Sequence, residues 1–211
     1  MRTLVISDLH LGARIERDVL RRSEALGLLL AALEDVDRLV LLGDVVELLG
    51  ERRGSAPALA RPVLEALGRR TGEIVLVPGN HDAALIRPWL RPHGVPDATD
   101  AEIPHDATPL LRDVTSWLAP ARVTVRYPGV WLSARVWATH GHYLDRHLLP
   151  ESAFGMARGL LGRLPRDGAL PRDYEQPGAS VTAVEGWLER WLPARSRGSS
   201  RTWRSCCAPQ R

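Results

Sequence analysis

Side chains of the kinds that hold hard divalent cations fall in four short clusters in this sequence. Asp8 and His10 stand two residues apart in Ser7-Asp8-Leu9-His10. Asp44 follows a glycine in Gly43-Asp44. Asn80 and His81 are adjacent in Pro78-Gly79-Asn80-His81-Asp82, and His140 lies in Thr139-His140-Gly141-His142. An oxygen and a nitrogen ligand at this spacing can converge on one ion, and a carboxylate such as Asp44 can bridge two. Asn80 offers a neutral carbonyl oxygen and His140 an imidazole. This mixture suits Mn, Fe(II) or Zn rather than Ca or a thiolate-selected metal. Two such ions about 3.5–4 Å apart can hold a bridging hydroxide as nucleophile and clamp a phosphoryl oxygen. Their charge offsets the charge of the transition state. The expected cofactor is a pair of divalent ions, Mn first, with Fe or Zn as alternatives.

His81, beside a candidate ligand, is free to protonate the leaving group as general acid. A carboxylate on its other ring nitrogen would fix its tautomer. Glu47, three residues after Asp44, is the first candidate for that part and Asp82 competes with it. His142 divides between supporting the metal site, touching substrate and packing. His147 is a ligand candidate for which a surface or capping part is favoured; His93 and His105 read as solvated. Each residue alone has a plainer reading, since strand-end aspartates often cap helices and Gly-Asn is a common turn pair. Asn80, however, is the only Asn in the chain, and four clusters in order argue for a site.

The elements that must position these clusters are legible in the apolar pattern. Short apolar runs at Thr3–Ile6, Arg38–Leu42 and Glu73–Val77 read as strands, with helical spacing over Val19–Leu33 and Ala58–Leu67. Strands separated by amphipathic helices predict βαβ units and a largely parallel sheet. Each polar cluster then follows a strand, at the sheet edge where open α/β sheets bind ligands. Arg91–Pro109 reads as an excursion or lid and Thr108–Leu118 as a helix. Ala121–Tyr127 and Val130–Thr139 read as two strands turning at Pro128-Gly129, the second delivering His140. Arg14, Trp131 and Trp137 are candidates for shaping specificity.

These clusters resemble the motifs of the calcineurin-like metallophosphoesterases: D-x-H, G-D-x-x-[DE], G-N-H-[DE] and H-G-H appear as SDLHLG, GDVVE, PGNHD and THGHYLD over roughly residues 1 to 145. The SDLHLG and GDVVE forms are similar to the bacterial branch that includes UDP-2,3-diacylglucosamine pyrophosphohydrolases. The resemblance implies an α/β fold, a four-layer α-β-β-α sandwich with two mixed sheets. It implies Asp8 and His10 on a first metal, Asp44 bridging, Asn80 and His140 on the second, and His81 as acid supported by Glu47. The family's final motif, G-H-x-H, which supplies one His to each metal, does not occur in this sequence. The expected activity is metal-dependent hydrolysis of phosphoester or pyrophosphate bonds. The alternative is a ligand-depleted interaction domain, or an incomplete or frameshifted form of a longer enzyme.

The expected organisation is a catalytic domain over residues 1–149, a helical extension or remainder over 150–192, and a disordered tail over 193–211. The tail has five Arg, no acid and no apolar periodicity, so it buries too little surface to offset its ordering entropy. All 28 basic residues of the chain are Arg, and the net charge of +3 rests largely on this tail. A nucleic-acid partner is therefore not expected, because a basic groove should run along the fold itself. A small-molecule or lipid-linked phosphate is the expected substrate. The sequence says nothing of oligomeric state. Two adjacent Cys, Cys206 and Cys207, exclude a disulfide framework. No apolar run reaches the roughly 18 residues of a membrane span, and a cytoplasmic location is expected.

Overall fold

A computed structural model describes residues 1–13, 18–49 and 55–142. The sequence readings for Arg14, His147, the segments 150–192 and 193–211 and the domain boundary at 149 lie outside the described residues.

Five strands form one mixed sheet: β1 (Thr3–Ile6), β2 (Arg38–Leu42), β3 (Glu73–Val77), β4 (Ala101–Ile103) and β5 (Arg122–Tyr127), in the order β1-β2-β3-β5-β4. The first three and β5 run parallel, and β4 closes the edge antiparallel to β5. A second sheet is the antiparallel hairpin β6 (Gly129–Ser133) and β7 (Val136–Thr139).

The central strands are apolar on both faces because both faces are covered. Leu39, Leu41, Ile74 and Leu76 point into a cluster shared with α2 (Ser55–Arg70), α3 (Arg87–His93) and α4 (Pro109–Trp117). Leu26, Leu29 and Leu30 of α1 (Ser23–Ala32) pack on its margin. The alternate residues Val40, Val75 and Val77 meet Val130 of β6. Period-two alternation thus sends leucines to the helices and valines to the hairpin. The described layers are helices, mixed sheet and hairpin.

Four elements differ from the sequence reading. The expected helix over Val19–Leu33 breaks at Arg22, whose extended backbone separates a 3-10 turn (Val19–Arg21) from α1. The expected lid over Arg91–Pro109 instead holds the end of α3 and the edge strand β4. Its loop is tied to the second sheet, because the indole N–H of Trp137 donates to the Thr99 carbonyl (2.9 Å) and that of Trp131 to Thr99 Oγ1 (3.3 Å). These two indoles serve as tethers there. Pro128-Gly129 is no hairpin turn, since β5 pairs with β3 while β6 pairs with β7. The chain changes sheets at that point, and 130–139 splits into two strands around Ala134-Arg135. At α4 the expectation holds: Thr108 Oγ1 accepts from Leu111 N–H (3.0 Å), and Pro109 starts the helix where its missing N–H costs nothing.

Candidate metal centre

Three of the four clusters leave the ends of β1, β2 and β3, and the fourth arrives from the end of β7 in the other sheet. The loop after β1 runs along the loop after β2. Asp8, His10 and Leu11 N–H groups donate to the carbonyls of Gly43, Asp44 and Val45 at 3.1, 2.8 and 2.9 Å. This extension of the ladder holds residues in costly conformations. Asp8, His10 and Asp44 have φ of 56°, 45° and 54°, and they are the only non-glycine residues with positive φ among those described. Such backbone strain costs about 1–3 kcal/mol per residue and persists where surrounding bonds over-determine it.

Buried Asp44 and part-buried His140 form the heart of the site. His140 Nδ1 lies 3.2 Å from the Leu42 carbonyl, which can only accept, so Nδ1 carries the proton. Nε2 then faces two oxygens, Asp44 Oδ2 and Asn80 Oδ1, each at 3.2 Å. Ligand atoms roughly 2.1 Å from one ion lie roughly 3.0–3.5 Å apart around it. The spacing therefore fits a coordination shell, and a ring N–H bonded to a backbone carbonyl is how metal-ligating His is oriented. Burial disfavours charge on both Asp44 and His140. Their mutual hydrogen bond and attraction nevertheless hold the Asp44 carboxyl below its ordinary value and raise His140. Asp8, exposed, joins them: ligand atoms of Asp8, Asp44 and His140 lie within 4.8 Å of one another. His10 Nε2 is 3.9 Å from Asp8 Oδ1. The donor set, carboxylate and amide oxygens with imidazole nitrogens, fits hard divalent cations.

Glu47 stands beside this group and touches two rings. Its Oε2 is 3.0 Å from His10 Nδ1, and its Oε1 is 2.8 Å from His81 Nδ1. Burial opposes ionisation, but the bonds from His10 and His81 hold Glu47 down at about 2. As an ionised acceptor it fixes the proton of each ring on Nδ1 and turns each Nε2 toward the aspartates. His81 Nε2 lies 3.9 Å from Asp44 Oδ2, and the two rings meet edge to face at 4.6 Å.

Of the two acids that sequence offered as partner of His81, geometry selects Glu47. Asp82 is fully buried, and its oxygens take backbone N–H groups of Gly79, Val45 and Val46. His142 sits 5.5 Å from the His140 ring, where burial and then the His140 charge push it down to about 3. His93 stacks on Trp89 and bonds its carbonyl, as a local contact of α3.

Two glycines were missed as site residues. A Cβ on Gly43 or on Gly79 would strike the His140 ring, and one on Gly79 would also strike Asp44. The doublets Gly43-Asp44 and Gly79-Asn80 carry the signal, a residue without a side chain directly before a ligand candidate. The link from Glu47 to His10 was also missed, since spacing along the chain does not reveal it.

Residues 1–205 match the family profile described as calcineurin-like phosphoesterase. No curated protein matches the chain.

Proposed function

The chain belongs to the calcineurin-like phosphoesterase family, and from that premise we propose that it hydrolyses phosphoester or pyrophosphate bonds at a dinuclear metal centre. Membership carries metal-dependent phosphoester hydrolysis as the family's activity. Asp8, His10 and Asp44 would hold a first ion, and Asp44, Asn80 and His140 a second. A bound pair of cations, Mn before Fe or Zn, would supply an activated water and neutralise phosphoryl charge. His81 gives its proton to the leaving oxygen, and Glu47 holds that ring with Nε2 toward the reacting centre. The observation that carries this reading is His140 Nε2, oriented by Leu42 and set 3.2 Å from both an Asp44 and an Asn80 oxygen. The full four-layer sandwich belongs to the same proposal. Its support is the apolar alternation of β2 and β3 between helices and hairpin.

The substrate class we propose is a small or lipid-linked phosphate. The likeness of SDLHLG and GDVVE to pyrophosphohydrolases of UDP-2,3-diacylglucosamine favours a pyrophosphate bond, and a panel of mono-, di- and pyrophosphate esters tests it.

Two variants test the chemistry in Mn-dependent hydrolysis of an aryl phosphodiester. Asp44→Asn is expected to abolish turnover. His81→Ala is expected to lose about 10²–10⁴-fold with a poor leaving group, and much less with an activated phenol that departs without a proton. Equal losses on both substrates would remove His81 as acid, and activity untouched by either variant would sink the proposal. A second reading, a non-catalytic domain on this fold, is favoured by one observation, the lack of G-H-x-H in the sequence. It predicts no metal in the purified protein and unchanged melting on adding Mn, because a cation bound to the native state must stabilise it.

A further inference from the structure

Asp82 is enclosed to 0% exposure, and the proposed chemistry gives it no part. Its Oδ1 accepts the Gly79 N–H at 2.6 Å, and its Oδ2 accepts Val45 N–H at 2.8 Å and Val46 N–H at 3.5 Å. These amides belong to the two loops that carry Asn80 and Asp44. The loops after β1 and β2 need no such help, because a run of backbone bonds zips them together. Between the loops after β2 and β3 the pairing of β2 with β3 ends at Leu42 and Val77. Among the described residues, the backbone bond that crosses beyond it runs from Leu48 N–H to the His81 carbonyl. Carboxylates carry the rest of the junction. Asp44 Oδ1 accepts His81 N–H at 2.9 Å, and Asp82 binds both loops.

We infer that Asp82 is a positioning residue for the second ion, fixing the loop of Asn80 against the loop of Asp44. The inference rests on the dinuclear reading of the site. Asp8, His10 and the loop of Asp44 are joined by the backbone zip, so the first ion depends on Asp82 less than the second does. An amide cannot replace the carboxylate. Three N–H donors converge on its two oxygens, and Asn would turn an NH2 group against at least one of them.

The test is a Mn(II) titration of the full chain followed by electron paramagnetic resonance, which reads stoichiometry and spin coupling without turnover. Wild type is expected to take two ions and show an exchange-coupled spectrum. Asp82→Asn is expected to keep one ion, to bind the second about 10–100-fold more weakly, and to give an uncoupled spectrum. Leu67→Ala, a core variant in α2, is the control. It should melt lower than wild type yet keep two coupled ions. Should Asp82→Asn fail to fold, Asp82→Ser retains one short acceptor and is expected to show the same selective loss. Two coupled ions at wild-type affinity in the Asp82 variant would overturn the inference alone. So would loss of the second ion in Leu67→Ala, which would make the effect one of general stability. Fewer than two ions in wild type would remove the dinuclear reading and this inference together.

Discussion

Glu47 accepts Nδ1–H from both His10 and His81, so its loss releases two rings at once. Glu47→Gln keeps one acceptor but faces one ring with an NH2 group. Metal affinity and kcat/KM are each expected to fall about 10–100-fold, as calorimetry with Mn and steady-state rates would show. In the metal-free protein the same bonds make stability depend on pH. The folded carboxyl titrates at about 2 against an ordinary 4.5, so its contribution is present above pH 4.5 and is lost as pH falls toward 2. That contribution is at most about 3 kcal/mol, from about 1.4 kcal/mol per pH unit. Urea midpoints in chelator at pH 5 and pH 3 should drop further in wild type than in Glu47→Gln; equal drops would deny the linkage. At this scale the candidate ligand types were legible in the sequence, because chemistry restricts them to few residues. It could not show that Glu47 serves two rings or that Asp82 serves none, because both depend on how loops approach one another.

At the scale of elements, close approach at Gly43 and Gly79 is what lets His140 cross from the second sheet. Gly79→Ala puts a methyl against His140 and Asp44, and is expected to lower metal affinity at least tenfold while far-UV circular dichroism stays unchanged. Gly43→Ala adds a left-handed backbone penalty, since φ there is +81°. The hairpin offers a contrast with the core. Leu41→Ala on the helix face should cost about 2–5 kcal/mol. Val130→Ala should cost less, about 1–3 kcal/mol, yet affect metal binding more, because β6 carries β7 and hence His140. Denaturant midpoints set beside Mn affinities for both variants would show this crossing; a ranking that is the same in both measurements would count against it. The parallel strands were readable in sequence because burial on both faces makes them continuous apolar runs. The sheet change at Pro128-Gly129 was not, because a turn within one sheet and a step between two sheets use the same residues. Nor was the edge strand β4, whose three residues, Ala101–Ile103, carry no periodicity.

Across the whole molecule, the site gathers Asp8, Asp44, Glu47 and Asp82 at one end of the sheet, in a chain whose net charge of +3 rests largely on the Arg of residues 193–211. Cations that bind only the native state stabilise it. At a hundredfold excess over Kd that linkage is worth about 2.7 kcal/mol per site. For a chain of this length each kcal/mol moves Tm by about 2–4 °C. Saturating Mn is therefore expected to raise Tm by about 5–10 °C for each ion bound, about 10–20 °C for the proposed pair, and a chelator to reverse the rise. Asp44→Asn touches both proposed ions, so it should abolish the response, whereas His81→Ala should keep most of it while losing turnover. A rise that survives in Asp44→Asn would place the ions elsewhere. No rise in wild type would favour the non-catalytic reading, in which the family's fold persists without its metals. A wild-type rise of the expected size without phosphoesterase activity would separate metal binding from catalysis. It would point to the missing G-H-x-H ligands as the step at which function is lost.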